Sequence, residues 1–129
     1  MRYRACSALL VAAVLVGCAG EVVRQPVELN ASVPEAGRLY TLRNDVEVRL
    51  ESNYTRIIRA HTEFSVAGSL PQGTVLRPTQ TVLTVEGRHM HEAYAVLRDD
   101  RLVGFYLPVE KAFSPLPLAT SFPLVQRKD

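Results

Sequence analysis

The chain has 129 residues, fifteen basic against thirteen acidic side chains, a formal charge of +2 and two cysteines. Arg2, Arg4 and Cys6 fall in the first seventeen residues, where there is no acid, so the remainder is neutral and holds one cysteine. That balance excludes a nucleic-acid binder driven by bulk charge, a disulfide scaffold, a multidomain enzyme and a chain that spans a bilayer.

The N-terminus, MRYRACSALLVAAVLVGC, places two arginines before an unbroken apolar run from Ala8 to Val16. This is the charged and then apolar layout of a secretory signal over residues 1–17, and the run is far shorter than the roughly twenty residues that cross a bilayer core. It ends in Leu15-Val16-Gly17-Cys18, which resembles the lipobox of bacterial lipoproteins. The resemblance implies that the signal is cut before Cys18, that a diacylglyceryl group sits on its sulfur and that the new amine is acylated with a chain such as palmitate. Cys18 is then the lipidation site and is lost to other chemistry. Ala19 rather than Asp follows it, which in the Gram-negative lipoproteins implies the outer membrane, with the protein facing the periplasm. Each buried methylene contributes about 0.8 kcal/mol, so two or three acyl chains hold such a protein essentially permanently.

Residues 18–37 carry two prolines, Gln, Asn, Ser and scattered valines without a sustained period. They read as a lipidated N-terminus and flexible tether with a mean reach of about 21–25 Å, although Val22, Val23, Val27 and Leu29 leave room for an edge strand.

From Arg38 the texture becomes short runs rich in Val, Leu, Thr, Tyr and Ile, broken by turn residues every eight to twelve positions, which predicts an all-β domain. Strands are expected over 46–50, 54–59, 62–66, 74–77, 81–85, 92–98 and 102–107. Val46, Val48 and Leu50 alternate with Glu47, Arg49 and Glu51, so one face is apolar and the other solvated. Ser52-Asn53, Leu70-Pro71-Gln72-Gly73, Glu86-Gly87 and Asp99-Asp100 supply turns. A single helical or 3₁₀ turn is expected over 109–113, after Pro108.

Several short strands in about eighty residues suggest a small barrel. Residues 66–78, VAGSLPQGTVLRP, resemble the hairpin of bacterial SH3-like domains, and residues 101–113, RLVGFYLPVEKAF, resemble the last strand and closing segment of the same barrel. The resemblance implies an SH3-like β-barrel over 38–118, and with Pro115, Pro117 and Pro123 nearby the C-terminal tail over 119–129 is expected to be extended and partly disordered.

Candidate chemistry is sparse. His89 and His91 would share one strand face, so with His61 they could hold zinc or copper, with Met90 adding affinity for Cu(I). Ser65, Ser69, Ser114 and Ser121 lie in no strand-to-helix elbow, and Glu47 and Glu51 belong to a regular polar strand face, so neither hydrolytic nor glycosidic chemistry is indicated. Tyr54, Tyr94 and Tyr106 are the candidate binding residues, able to stack on a peptide or a glycan ring. The chain has no Trp, so the proline-peptide groove of eukaryotic SH3 domains is not carried over. These residues lead to the expectation of a non-catalytic outer-membrane lipoprotein, without a cofactor and without nucleic acid. It would hold or assemble a partner at the membrane: an envelope or secretion complex, or peptidoglycan. The alternative is a periplasmic metal-handling lipoprotein using His61, His89 and His91.

Overall fold

The computed structural model describes residues 21–128; the signal segment, Cys18 and Ala19 lie outside them. The described chain is all-β, and no helix occurs among the described residues. Its strands are β1 (Gln25–Pro26), β2 (Leu39–Leu42), β3 (Val46–Arg49), β4 (Thr55–Ile58), β5 (Glu63–Leu70) and β6 (Gly73–Pro78). After them come β7 (Thr84–Glu86), β8 (Met90–Glu92), β9 (Tyr94–Arg98), β10 (Arg101–Leu107), β11 (Ala112–Ser121) and β12 (Leu124–Gln126). Eight form one sheet in the order β1-β11-β10-β9-β6-β5-β2-β12, while β3-β4 and β7-β8 are separate two-stranded sheets.

The expected closed barrel is not formed. The eight-stranded ladder has two open edges, β1 and β12. Its ends are instead tied by the chain itself: Ser121 of β11 pairs with Arg101 of β10, and after Phe122-Pro123 the chain re-enters as β12, where Leu124 pairs with Leu42 of β2. Three residue steps span at most about 11 Å, so the β10 and β2 regions of the sheet must curl toward each other. Phe122, 1% exposed, fills the space this leaves and meets Phe64 edge to face at 5.6 Å between ring centroids. The Arg43 N–H donates to Pro123 O at 2.9 Å, and Arg127 holds Glu63 at 2.5 Å, so both flanks of β12 are fastened to the domain. The described part of the expected tail, residues 119–128, is therefore largely sheet rather than a loose end.

The inner face of the curled sheet forms the main core with the apolar faces of the two small sheets. Phe64 and Val66 of β5, Leu76 of β6, Ala95 and Leu97 of β9 and Phe105 and Leu107 of β10 pack with Val48, Ile58 and Val85. The alternation read over 46–50 appears as Val46 and Val48 buried and Glu47 and Arg49 exposed.

Leu70, Val75, Val96, Tyr106 and Phe113 make a second cluster with Val27 and Leu29 packed against it. Strands β6, β9 and β10 thus bury side chains from both faces, which is why Val75-Leu76, Ala95-Val96-Leu97 and Phe105-Tyr106-Leu107 are continuous apolar runs. Two register shifts help. One between Val66 and Gly68 transfers β5 from the main core to the second cluster, and one between Leu102 and Gly104 lets Leu102 and Phe105, three apart, share a face.

The segment expected to be a tether therefore covers apolar surface. Val22 is buried in the main core, β1 pairs with β11, and Asn30 exchanges two backbone hydrogen bonds of 2.9 Å with Ser69. Only a backbone without a side chain admits that bridge, since a Cβ on Gly68 would strike the Asn30 carbonyl.

In place of a 3₁₀ turn, residues 108–111 form a turn closed by Lys111 at φ 52°, and β11 begins at Ala112. Asp99 and Asp100 link β9 to β10 with φ of 51° and 62°, the two left-handed positions of a type I′ hairpin. Asp100→Gly removes the steric cost of the second position and is expected to stabilise the domain by about 0.5–1 kcal/mol, read as a rise in the urea midpoint at unchanged slope.

Candidate functional site

A cleft of about 740 Å³ opens between the curled sheet and the Phe122-Pro123 link. Its apolar lining comes from strands that also build the core: Val66 of β5, Leu76 of β6 and Leu97 of β9, with Phe122 beside them. Half-buried Tyr40 of β2 adds an aromatic ring, and Thr74 and Ser121 add hydroxyls. The charged members are Glu35, Arg43, Asp99 and Asp100, all exposed. Val66, Leu76, Leu97 and Phe122 are almost wholly buried, so the apolar part of the base is small, and three carboxylates against one guanidinium suit a ligand that places a small apolar group there while presenting positive charge to the border. Topology builds this site. Tyr40 and Arg43 precede the hairpin Asp99-Asp100 by more than fifty residues, and the side-by-side strands β2, β5, β6 and β9, bordered by the link into β12, bring the two regions to one opening.

Of the candidate tyrosines, two come together. Tyr94 and Tyr106 are direct partners across β9 and β10, with ring centroids 6.2 Å apart and planes tilted by 45°. Tyr106 is buried in the second cluster, and this burial, followed by the proximity of Tyr94, pushes its phenol up from the ordinary value. The pair is chiefly part of that apolar face. Tyr54 is exposed just before β4, whose two-stranded sheet is separate from that of Tyr94 and Tyr106.

The three histidines are not assembled. His89 lies in the bend before β8 and is exposed, His61 is exposed in a turn at φ 69°, and His91 is buried at 7% exposure. The strand phase that would have put His89 and His91 on one face is lost because β8 begins only at Met90. Among the described residues no group of three or more His, Cys, Asp or Glu side chains is placed to hold a metal ion.

His91 instead meets Glu110, with Nδ1 and Oε1 at 2.5 Å. Burial acts to raise the Glu110 carboxyl, but the His91 hydrogen bond, a backbone N–H and the charges of His91 and Arg24 outweigh it, and the net value lies below the ordinary 4.5. His91 Nε2 and Glu110 Oε2 are both buried without a hydrogen-bond partner. The pair joins β8 to the turn between β10 and β11, a contact between residues 19 apart that no local pattern announces.

The arginines are dispersed rather than gathered. Arg56 pairs with Glu86 at 3.2 Å, Arg59 with Asp45 at 3.5 Å, and Arg101 donates to Ala119 O at 2.9 Å. No family model matches the chain, and no curated protein or solved structure is significantly similar to it.

Proposed function

We infer that the protein is a non-catalytic binding module, lipidated at Cys18 on the outer membrane and facing the periplasm, whose open cleft receives a segment of an envelope partner. The lipobox supports the address, and the cleft with its apolar base and mainly acidic border supports the action. Three carboxylates against one guanidinium favour a polypeptide segment with an apolar anchor and flanking Lys or Arg over peptidoglycan, whose stem peptides carry carboxylates. The three dispersed histidines give the metal-handling alternative no comparable support.

A photo-crosslinking amino acid in place of Tyr40 tests this in intact cells. One discrete protein adduct is expected, reduced at least tenfold when Asp99→Lys and Asp100→Lys reverse the border charge. Adducts confined to peptidoglycan, or a protein adduct indifferent to the charge reversal, overturn the reading.

A further inference from the structure

The described chain enters the fold close to Cys18. Only residues 19 and 20 separate Cys18 from Glu21, so three Cα steps of at most about 11 Å join the lipid-bearing residue to the body of the domain, and Val22 is already core. The bilayer surface is thus held near whatever surrounds residues 21–23.

Those surroundings follow from pairing. Gln25 opposes Phe113 and Pro26 opposes Ala112, so the chain running back from β1 advances along β11, and Val22 and Val23 line one small pocket with Ser114 and Pro115. The next residues of β11, 116–119, have only Val103 opposite them, because Pro115 pairs with Gly104 and Thr120 with Leu102. They bulge outward and carry Leu118 at 80% exposure, within about 11 Å of Pro115. Val23 and Tyr54 are exposed beside the same pocket, to which Leu50 contributes while its N–H bonds Tyr54 O at 2.8 Å.

We propose that the Leu118 bulge, Val23 and Tyr54 form a membrane-facing surface that seats the domain directly on the phospholipid headgroups. Leucine and valine enter the upper acyl region and tyrosine sits at headgroup depth, the ordinary place for an amphipathic ring. Arg24 and Arg101 stand beside the patch, while Glu21 and Glu51 offset their charge, so apolar insertion rather than attraction to anionic lipid carries the contact. The domain is a seated cap with a fixed face to the bilayer. A body swinging on a tether would have no such face.

This surface rests on the lipid anchor, and one preparation separates the two. The mature protein is extracted from membranes, its N-terminal peptide weighed for acyl chains, and the chain placed in phosphatidylcholine–phosphatidylethanolamine vesicles. With the Cys18 sulfur acylated, Leu118→Cys supplies the single reactive thiol for an environment-sensitive fluorophore. Val109→Cys is the control, since Val109 is 76% exposed but lies beyond the other end of the β1–β11 pairing. Nitroxide lipids are expected to quench the Leu118 label at least twofold more than the Val109 label. Acylated protein with equal quenching at both, or stronger quenching at Val109, overturns the membrane-facing surface and leaves the anchor standing. An N-terminal peptide without acyl mass overturns the anchor, and the surface with it.

Discussion

Phe64→Ala is expected to remove a third or more of the domain's folding stability. The ring has no exposure, lies on the interior strand β5 and meets Phe122 edge to face at 5.6 Å. Removing it costs transfer energy and leaves a cavity, together about 3–5 kcal/mol, and the lost aromatic contact belongs to that sum. A domain of this size has a total stability of roughly 5–10 kcal/mol, so the loss takes a large part of it. The particular damage is to closure: Phe122 lies where β11 passes into β12, and without Phe64 the link loses its aromatic partner in the core. Urea denaturation followed by near-ultraviolet dichroism should show a midpoint lowered by more than a third. Hydrogen exchange should show loss of protection in β12 before β9. A change below 1 kcal/mol would mean that the link is held by its backbone bonds alone.

His91→Leu and Glu110→Leu should each destabilise the domain by about 2–3 kcal/mol, less than a fully buried pair costs because Glu110 keeps some contact with water. Each single change leaves a charged or polar partner buried without a bond. The double change removes both, so it should cost less than the sum of the singles by at least about 1 kcal/mol. The acid limb has a definite sign. Glu110 is depressed in the folded state, so its contribution is present above the unfolded value and is lost as pH falls through the lower folded one. Glu63 adds a loss of the same sign, since the Thr79 hydroxyl and then Arg127 hold its carboxyl below 4.5. Stability should therefore fall on acidification below pH 4.5, and Glu110→Gln should flatten the curve without abolishing its slope. Identical acid limbs in the two proteins would show that the pair is electrostatically idle.

What the sequence disclosed follows from how many faces each strand buries. The run 46–50 was legible because one face is solvated, so the polar residues marked the period. Strands β9 and β10 were legible as strands, but their continuous apolar character did not say what covered the second face. The cover is Val27 and Leu29, in a segment with only two ladder residues and one bridge, too little pairing to impose a period of two. The C-terminal prolines misled for a related reason. Pro115 lies within β11, Pro117 falls in its bulge and Pro123 in the link to β12, places where a missing N–H costs little. The candidate site was less legible still. Tyr40 and Arg43 join Asp99 and Asp100 only through the side-by-side pairing of β2, β5, β6 and β9 and the return of the chain as β12, and Glu110 meets His91 only through a turn whose left-handed residue is a lysine.

The open edges of the large sheet carry one more consequence. β1 offers two ladder residues, one of them Pro26 with no N–H, and β12 offers three. A strand adding from a second copy needs about five or six residues of free backbone to pair stably. Neither strand provides it, so β1 and β12 themselves give no template for copies to stack into a growing cross-β ladder. Were the protein held in the plane of a membrane, as proposed, where neighbours collide constantly, these short end strands would act as protection against aggregation.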